Sequence, residues 1–201
     1  MMIRYEPHER VTAALLSEIS SSLFEFFYFN SGGAISISNS DYSLSLKSSL
    51  FRFCIAASYG GAIYLSGRQI SSESVCFDTC YNTGATDNVF GNGIYSKKEG
   101  QLTGTSFINF TSFFGCGPAG ELAGDSTIYL EEQSLESEDI NFTRCSGSGG
   151  STSLTLNRKP GRSKYISTYG GFASHLTAVD MMTLTFQNIN FLNFSQNKKM
   201  G

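Results

Sequence analysis

Two short signatures alternate through most of this chain, and few folds can carry both. One is a Phe step: Phe27-Tyr-Phe-Asn30, Phe51-Arg-Phe-Cys54, Phe77-Asp-Thr-Cys80, Phe110-Thr-Ser-Phe113, Phe142-Thr-Arg-Cys145 and Phe194-Ser-Gln-Asn197. The other is a small-residue step ending in Ile: Gly33-Ala34-Ile35, Gly61-Ala62-Ile63, Asn92-Gly93-Ile94 and Ser126-Thr127-Ile128, with a looser copy at Gly170-Gly171-Phe172-Ala173. From each Ile to the next Phe the gap is 16, 14, 16 and 14 residues (35 to 51, 63 to 77, 94 to 110, 128 to 142). From each Phe to the next Ile it is 8, 12, 17 and 18 (27 to 35, 51 to 63, 77 to 94, 110 to 128). Packed strands cannot change length without losing register, whereas loops can. The Ile-to-Phe half is therefore read as stacked strands and the Phe-to-Ile half as a variable turn.

Within the constant half, apolar and polar residues alternate, as in Ile63, Leu65, Ile70, Val75 and Phe77. A period of two over short runs means strands with one buried face. A repeat of 24 to 33 residues with short strands and Gly-rich corners fits one coil of a parallel β-helix. The expected fold is all-β, a right-handed single-stranded parallel β-helix of pectin-lyase-like type. Phe27, Phe51, Phe77, Phe110, Phe142 and Phe194 are expected to stack as a core column. Gly32, Gly33, Gly60, Gly61, Gly91, Gly93, Gly170 and Gly171 are expected at the corners. Cys54, Cys80 and Cys145 end their Phe steps and are expected to stack. Cys54 and Cys80 come within disulfide reach if their coils are adjacent, and buried free thiols are the alternative.

Residues 5–20 fit an amphipathic helix, with Val11, Ala14, Leu15 and Ile19 on one face and Pro7 in its first turn. Such a helix would cap the open edge of the first coil. The expected organisation is a cap or irregular segment over 1–23, then the array over 24–201, cut off at its C-terminal end. Residues 146–169 break the rhythm, either as a long insertion or as an irregular extra coil. Leu154 and Leu156 alternate as a strand would and favour the coil.

The composition supports strands over helices. Charged residues make up 15% of the 201, against roughly 25% in an average soluble protein. Gly, Ser and aromatics take their place, and long surface helices need the Lys and Glu that are scarce here. A net charge of −3 gives no nucleic-acid footprint. The basic run 157–164 reads as a solvated loop. Five Cys fit neither a closed disulfide framework nor a zinc site, and the two His sit in no ligand-spaced cluster, so no metal or cofactor is expected. No signal peptide is legible, and no run of about 18 apolar residues suggests a membrane helix.

Alternation around the Phe steps turns Asn109, Asn141 and Asn193 outward, and each begins an Asn-Phe-Thr/Ser acceptor triplet for N-glycosylation. Together, Gly-Gly-Ala-Ile at 32–35 and 60–63 and Phe-x-x-Asn at 27–30 and 194–197 resemble the two repeats of the polymorphic outer-membrane proteins of chlamydiae. The form Cys76-Phe-Asp-Thr-Cys80, followed by Gly91-Asn-Gly-Ile-Tyr95, is similar to repeat-rich surface proteins of trichomonad-type protists. The resemblance spans roughly residues 24–197. It implies a right-handed parallel β-helix at a cell surface or secreted, used in adhesion, with a host-cell surface protein or a glycan as partner.

Three functional classes follow. The first is a non-catalytic surface binding module. The second is a polysaccharide-acting enzyme, which needs acids gathered on one face together with a base. Here the acids Glu136, Glu138 and Asp139 cluster around the corners of one coil, which a solvated turn explains better. The third is a structural spacer or a fragment of a larger surface protein.

Overall fold

The computed structural model describes residues 11–12, 18–84, 90–98, 104–117, 126–146, 154–157, 159, 161–172, 177–180 and 184–195. All regular structure in them is β. The first pass of the chain forms β1 (Val11–Thr12), β2 (Glu18–Ser20), β3 (Leu23–Glu25) and β4 (Tyr28–Ser31). The second forms β5 (Ile35–Ser38), β6 (Ser43–Lys47), β7 (Leu50–Arg52) and β8 (Ile55–Tyr59). The third forms β9 (Ile63–Gly67), β10 (Gln69–Glu73), β11 (Cys76–Asp78) and β12 (Tyr81–Asn82). Later passes merge the middle strands: β13 (Ile94–Lys98) and β14 (Thr105–Phe114), β15 (Ile128–Glu131) and β16 (Ser134–Thr143). The last are β17 (Leu154–Asn157) and β18 (Gly161–Phe172), then β19 (Thr177–Asp180) and β20 (Leu184–Ser195).

Every strand pairs in parallel with its counterpart one pass away. A seven-stranded sheet runs β1-β5-β9-β13-β15-β17-β19, and β4, β8 and β12 make a three-stranded one. The third sheet holds the remaining strands, with β14, β16, β18 and β20 paired in succession. This is a parallel β-helix. Val11–Thr12 and Glu18–Ser20, expected inside the cap helix, are strands that extend the sheets onto β5 and β6. Ile19 is buried between exposed Glu18 and Ser20 in the period-two pattern of the coils, and the rest of the expected helix lies outside the described residues. Residues 154–157 and 161–172 form a further coil, since β17 pairs with β15 and β18 with β16.

Like stacks on like inside. Ile35, Ile63, Ile94, Ile128 and Leu154 are register partners, and all are buried. The aromatic column is Phe24–Phe51–Phe77–Phe113–Phe142, with ring centroids 4.6, 5.0, 4.7 and 5.2 Å apart and nearly parallel planes. Each such pair contributes about 0.5–1.5 kcal/mol beyond burial. Three expected members stand elsewhere. β3 pairs in register with β7, so Phe24, not Phe27, faces Phe51; Phe27 is buried one corner later. Phe113 faces Phe77, while Phe110 bulges outward and is half exposed. At the far end the register continues from Phe142 through Thr168 to Phe191, and Phe194 falls opposite Gly171.

Coil four departs from the aliphatic pattern. Ser96 stands in register between Leu65 and Leu130, and both Ser96 and Ser106 are buried. The amide of buried Gln133 bridges them: its Nε2 donates to Ser96 Oγ at 2.8 Å, and its Oε1 accepts from Ser106 Oγ. Buried polar groups are tolerated when they satisfy one another in this way.

The corners also form columns. Ser21, Ser48, Ser74, Phe110, Asp139, Tyr165 and Asn188 stand one to a coil with φ between 46° and 55°. A second column is Phe26, Phe53, Thr79, Gly115, Arg144 and Gly170, with φ between 51° and 61°. Left-handed backbone costs a non-Gly residue about 1–2 kcal/mol. The corner N–H groups nevertheless stay in the ladder, as when Ser48 donates to the Glu73 carbonyl and Thr79 to that of Phe114. Gly170 belongs to this second column, and so is not the counterpart of Gly32, Gly60 and Gly91, which turn the chain with φ of 65°, 58° and 70°. Gly171 stands in register with Phe194, one place after that column. Beside Gly60, Gly61 has a different constraint: an added Cβ would press on the Asn92 carbonyl oxygen of the next coil.

Candidate functional site

Inward side chains are spent on packing, so chemistry must be sought on the outward faces. One face is concave. On β14, β16 and β18 an open groove of about 270 Å³ is lined by Phe107, Asn109, Glu136, Ser137, Glu138, Arg162 and Lys164. Register builds it. Phe107, Glu136 and Arg162 are successive partners across the three strands, and so are Asn109, Glu138 and Lys164. Alternation turns residues two apart to the same side, which brings two carboxylates on β16 beside two cations on β18.

The acids read as a solvated turn and the bases read as a loop are thus neighbours on one sheet. Glu136, Arg162 and Lys164 are exposed. Among the described residues no ion pair within 4.0 Å joins these four charges, although Arg52 is held between Glu25 at 3.7 Å and Asp78 at 2.9 Å two coils earlier. Phe107 supplies a partly exposed ring at the edge of the groove. Asn109 is already engaged, its Oδ1 accepting the Glu138 backbone N–H at 3.0 Å.

Of the three asparagines in candidate acceptor triplets, Asn141 is exposed on β16. Asn109 is half buried and bonded across the strands, and the side chain of Asn193 lies outside the described residues. Asn193 falls opposite Gly170, in register with the second corner column.

The cysteines form a buried thiol column. Cys54, Cys80, Cys116 and Cys145 each follow the aromatic column by three residues and are at most 2% exposed. Each thiol donates to the carbonyl of the Phe one coil back: Cys54 to Phe24, Cys80 to Phe51, Cys116 to Phe77 and Cys145 to Phe113, at 3.5–3.7 Å. All five cysteines are free thiols. Burial pushes the thiols of Cys80, Cys116 and Cys145 well above the ordinary thiol range. Cys116 joins the expected column because Phe113, not Phe110, is the ring in register with Phe77. The Phe-x-x-Cys spacing was the signal for it.

A further aromatic column, not among the sequence expectations, is largely buried on the other side of the solenoid wall. Tyr64, Tyr95 and Tyr129 stack on the outer side of the seven-stranded sheet, 5.5 and 5.6 Å apart. Tyr95 donates to Glu131 Oε2 at 2.8 Å, and burial with that carboxylate raises its pKa. Among the described residues no group of three or more His, Cys, Asp or Glu is placed to hold a metal ion. No protein-family model, no curated protein and no solved structure matches the chain.

Proposed function

We propose that this chain is a non-catalytic binding module displayed at a cell surface or secreted, with the outward face of β14, β16 and β18 as its contact surface. The observation that carries the reading is the groove itself, where unpaired charges of both signs stand beside an aromatic ring. A solenoid that served only as a spacer has no need to hold such charges apart from one another. The resemblance to repeat-rich surface proteins supports adhesion as the use of such a face, with a host-cell surface protein or glycan as the contact. Exposed Asn141 in its acceptor triplet fits a secreted route.

The purified chain is expected to bind cells or immobilised glycans saturably, and the double variant Arg162→Ala/Lys164→Ala to lose about tenfold or more in affinity, the scale of two charge-assisted contacts. Absence of saturable binding to any surface would leave the spacer reading in its place. A second reading, a polysaccharide-acting enzyme, draws support from Glu136 and Glu138 standing beside two bases in the same groove. Cleavage of an acidic polysaccharide, abolished by Glu136→Gln/Glu138→Gln, would replace the binding reading with that one.

A further inference from the structure

We infer that the groove on β14, β16 and β18 pairs with the same groove on a second copy of this chain. The inference rests on the reading of that face as a contact surface and takes a second copy of this chain, in place of a host-cell protein or glycan, as its occupant.

The argument starts from the sign pattern. Two carboxylates stand on β16 and two cations on β18, so the patch has no net charge but a strong polarity across the strands. A partner of one sign, such as a polyanion or a basic peptide, is attracted by one strand and repelled by the next. The face calls for a partner that is itself bipolar at the strand spacing of about 4.8 Å. A second copy meets that requirement by construction, because an isologous contact presents the same patch to itself.

The register fixes how the two copies sit. A two-fold axis parallel to the strands, lying between the two faces and midway between β16 and β18, exchanges those strands and leaves positions along them unchanged. Glu136 and Arg162 are register partners, as are Glu138 and Lys164. Each carboxylate therefore lands over the matching cation of the second copy, giving four ion pairs. The corner column adds a third kind of contact. Asp139 and Tyr165 are successive members of it, so the half-exposed Tyr165 hydroxyl of one copy faces the Asp139 carboxylate of the other. No element needs to move, and charges left without a partner within one chain gain one across the interface.

Two charge-reversed full-length variants test this. Glu136→Lys/Glu138→Lys makes the patch wholly basic, and Arg162→Glu/Lys164→Glu makes it wholly acidic. Sedimentation is expected to show dimers of the wild type whose association constant falls about tenfold or more between about 0.05 and 0.5 M salt. Each variant alone is expected to be monomeric, with unchanged circular dichroism, and the two mixed to dimerise again. Should a variant fold poorly, Arg162→Gln/Lys164→Gln removes the cations without reversal and is expected to weaken wild-type-like dimers. A chain that stays monomeric at every concentration, or dimers indifferent to both reversals, would overturn the inference. Monomers that still bind cells through Arg162 and Lys164 would overturn the self-pairing and leave the contact surface standing. Loss of both would remove the two together.

Discussion

The interior columns and the outer face of β14, β16 and β18 are built from the same strands, yet they obey opposite rules. Inside, one residue type recurs from coil to coil: five Phe rings in one column, four thiols in the next. Outside, the register partners change at each step, from Phe107 to Glu136 to Arg162. The inside repeats because neighbours about 4.8 Å apart pack best when they match in shape. The outside is free of that constraint, and repetition there would set like charges side by side. Departure from the repeat therefore costs little on this outer face, whereas inside it must be satisfied locally, as Gln133 does for Ser96 and Ser106.

Three measurements can break or sharpen the contrast. The largest effect is expected at the aromatic column. Phe77→Ala opens a hole between Phe51 and Phe113 and should cost about 3–5 kcal/mol in urea unfolding. The outward Phe107→Ala should stay within about 0.5 kcal/mol. Similar costs at the two sites would remove the distinction.

The thiol column should make stability fall in alkali. Below the ordinary thiol pKa of 9.0 both folded and unfolded chains keep their thiol protons. Above it the unfolded chain releases them while buried Cys80, Cys116 and Cys145 hold theirs, so unfolding gains. The three together should lower stability by about 2 kcal/mol at pH 9.5 relative to pH 8. Tyr95, with its pKa raised, acts in the same direction at higher pH. A urea midpoint unchanged between those pH values would show that the column is not protected.

The smallest effect is expected at a corner. Phe110 has φ of 49° and a half-exposed ring. Phe110→Gly relieves about 1–2 kcal/mol of left-handed strain against about 0.5–1 kcal/mol of added chain entropy. The variant should equal the wild type in thermal unfolding or exceed it by up to about 1.5 kcal/mol. A clear loss would mean that the outward ring contributes to packing after all.

The Ile columns and the parallel coiling were legible in the sequence because a period of two survives in every coil. The aromatic register was ambiguous at three places for one reason. Phe24 and Phe27, Phe110 and Phe113, and Phe191 and Phe194 each offer two rings three residues apart. The thiols resolve the second of these, since Cys116 three residues after Phe113 matches Cys54, Cys80 and Cys145 after their own Phe residues. With Phe113 in place, the gap from Ile94 becomes 19 residues, and the supposedly constant half is seen to stretch as well. The groove stayed hidden because its acids and bases come from different coils. They lie at the same 26-residue offset (136 to 162, 138 to 164) as Ile128 and Leu154, so counting 146–169 as a coil is what joins them.

The aromatic column runs unbroken from Phe24 to Phe142, and then the register offers Thr168 before reaching Phe191. In an array where each repeat feels only its neighbours, stability passes along the axis link by link, and a weak link divides it. Threonine has no ring to transmit the stack. Coils one to five should thus melt as one cooperative block, and the two beyond them as another, with the boundary between the acids of β16 and the bases of β18. The groove on β14, β16 and β18 would then straddle a seam, and the partner proposed for it, by bridging both sides, would clamp the two blocks into a single unit.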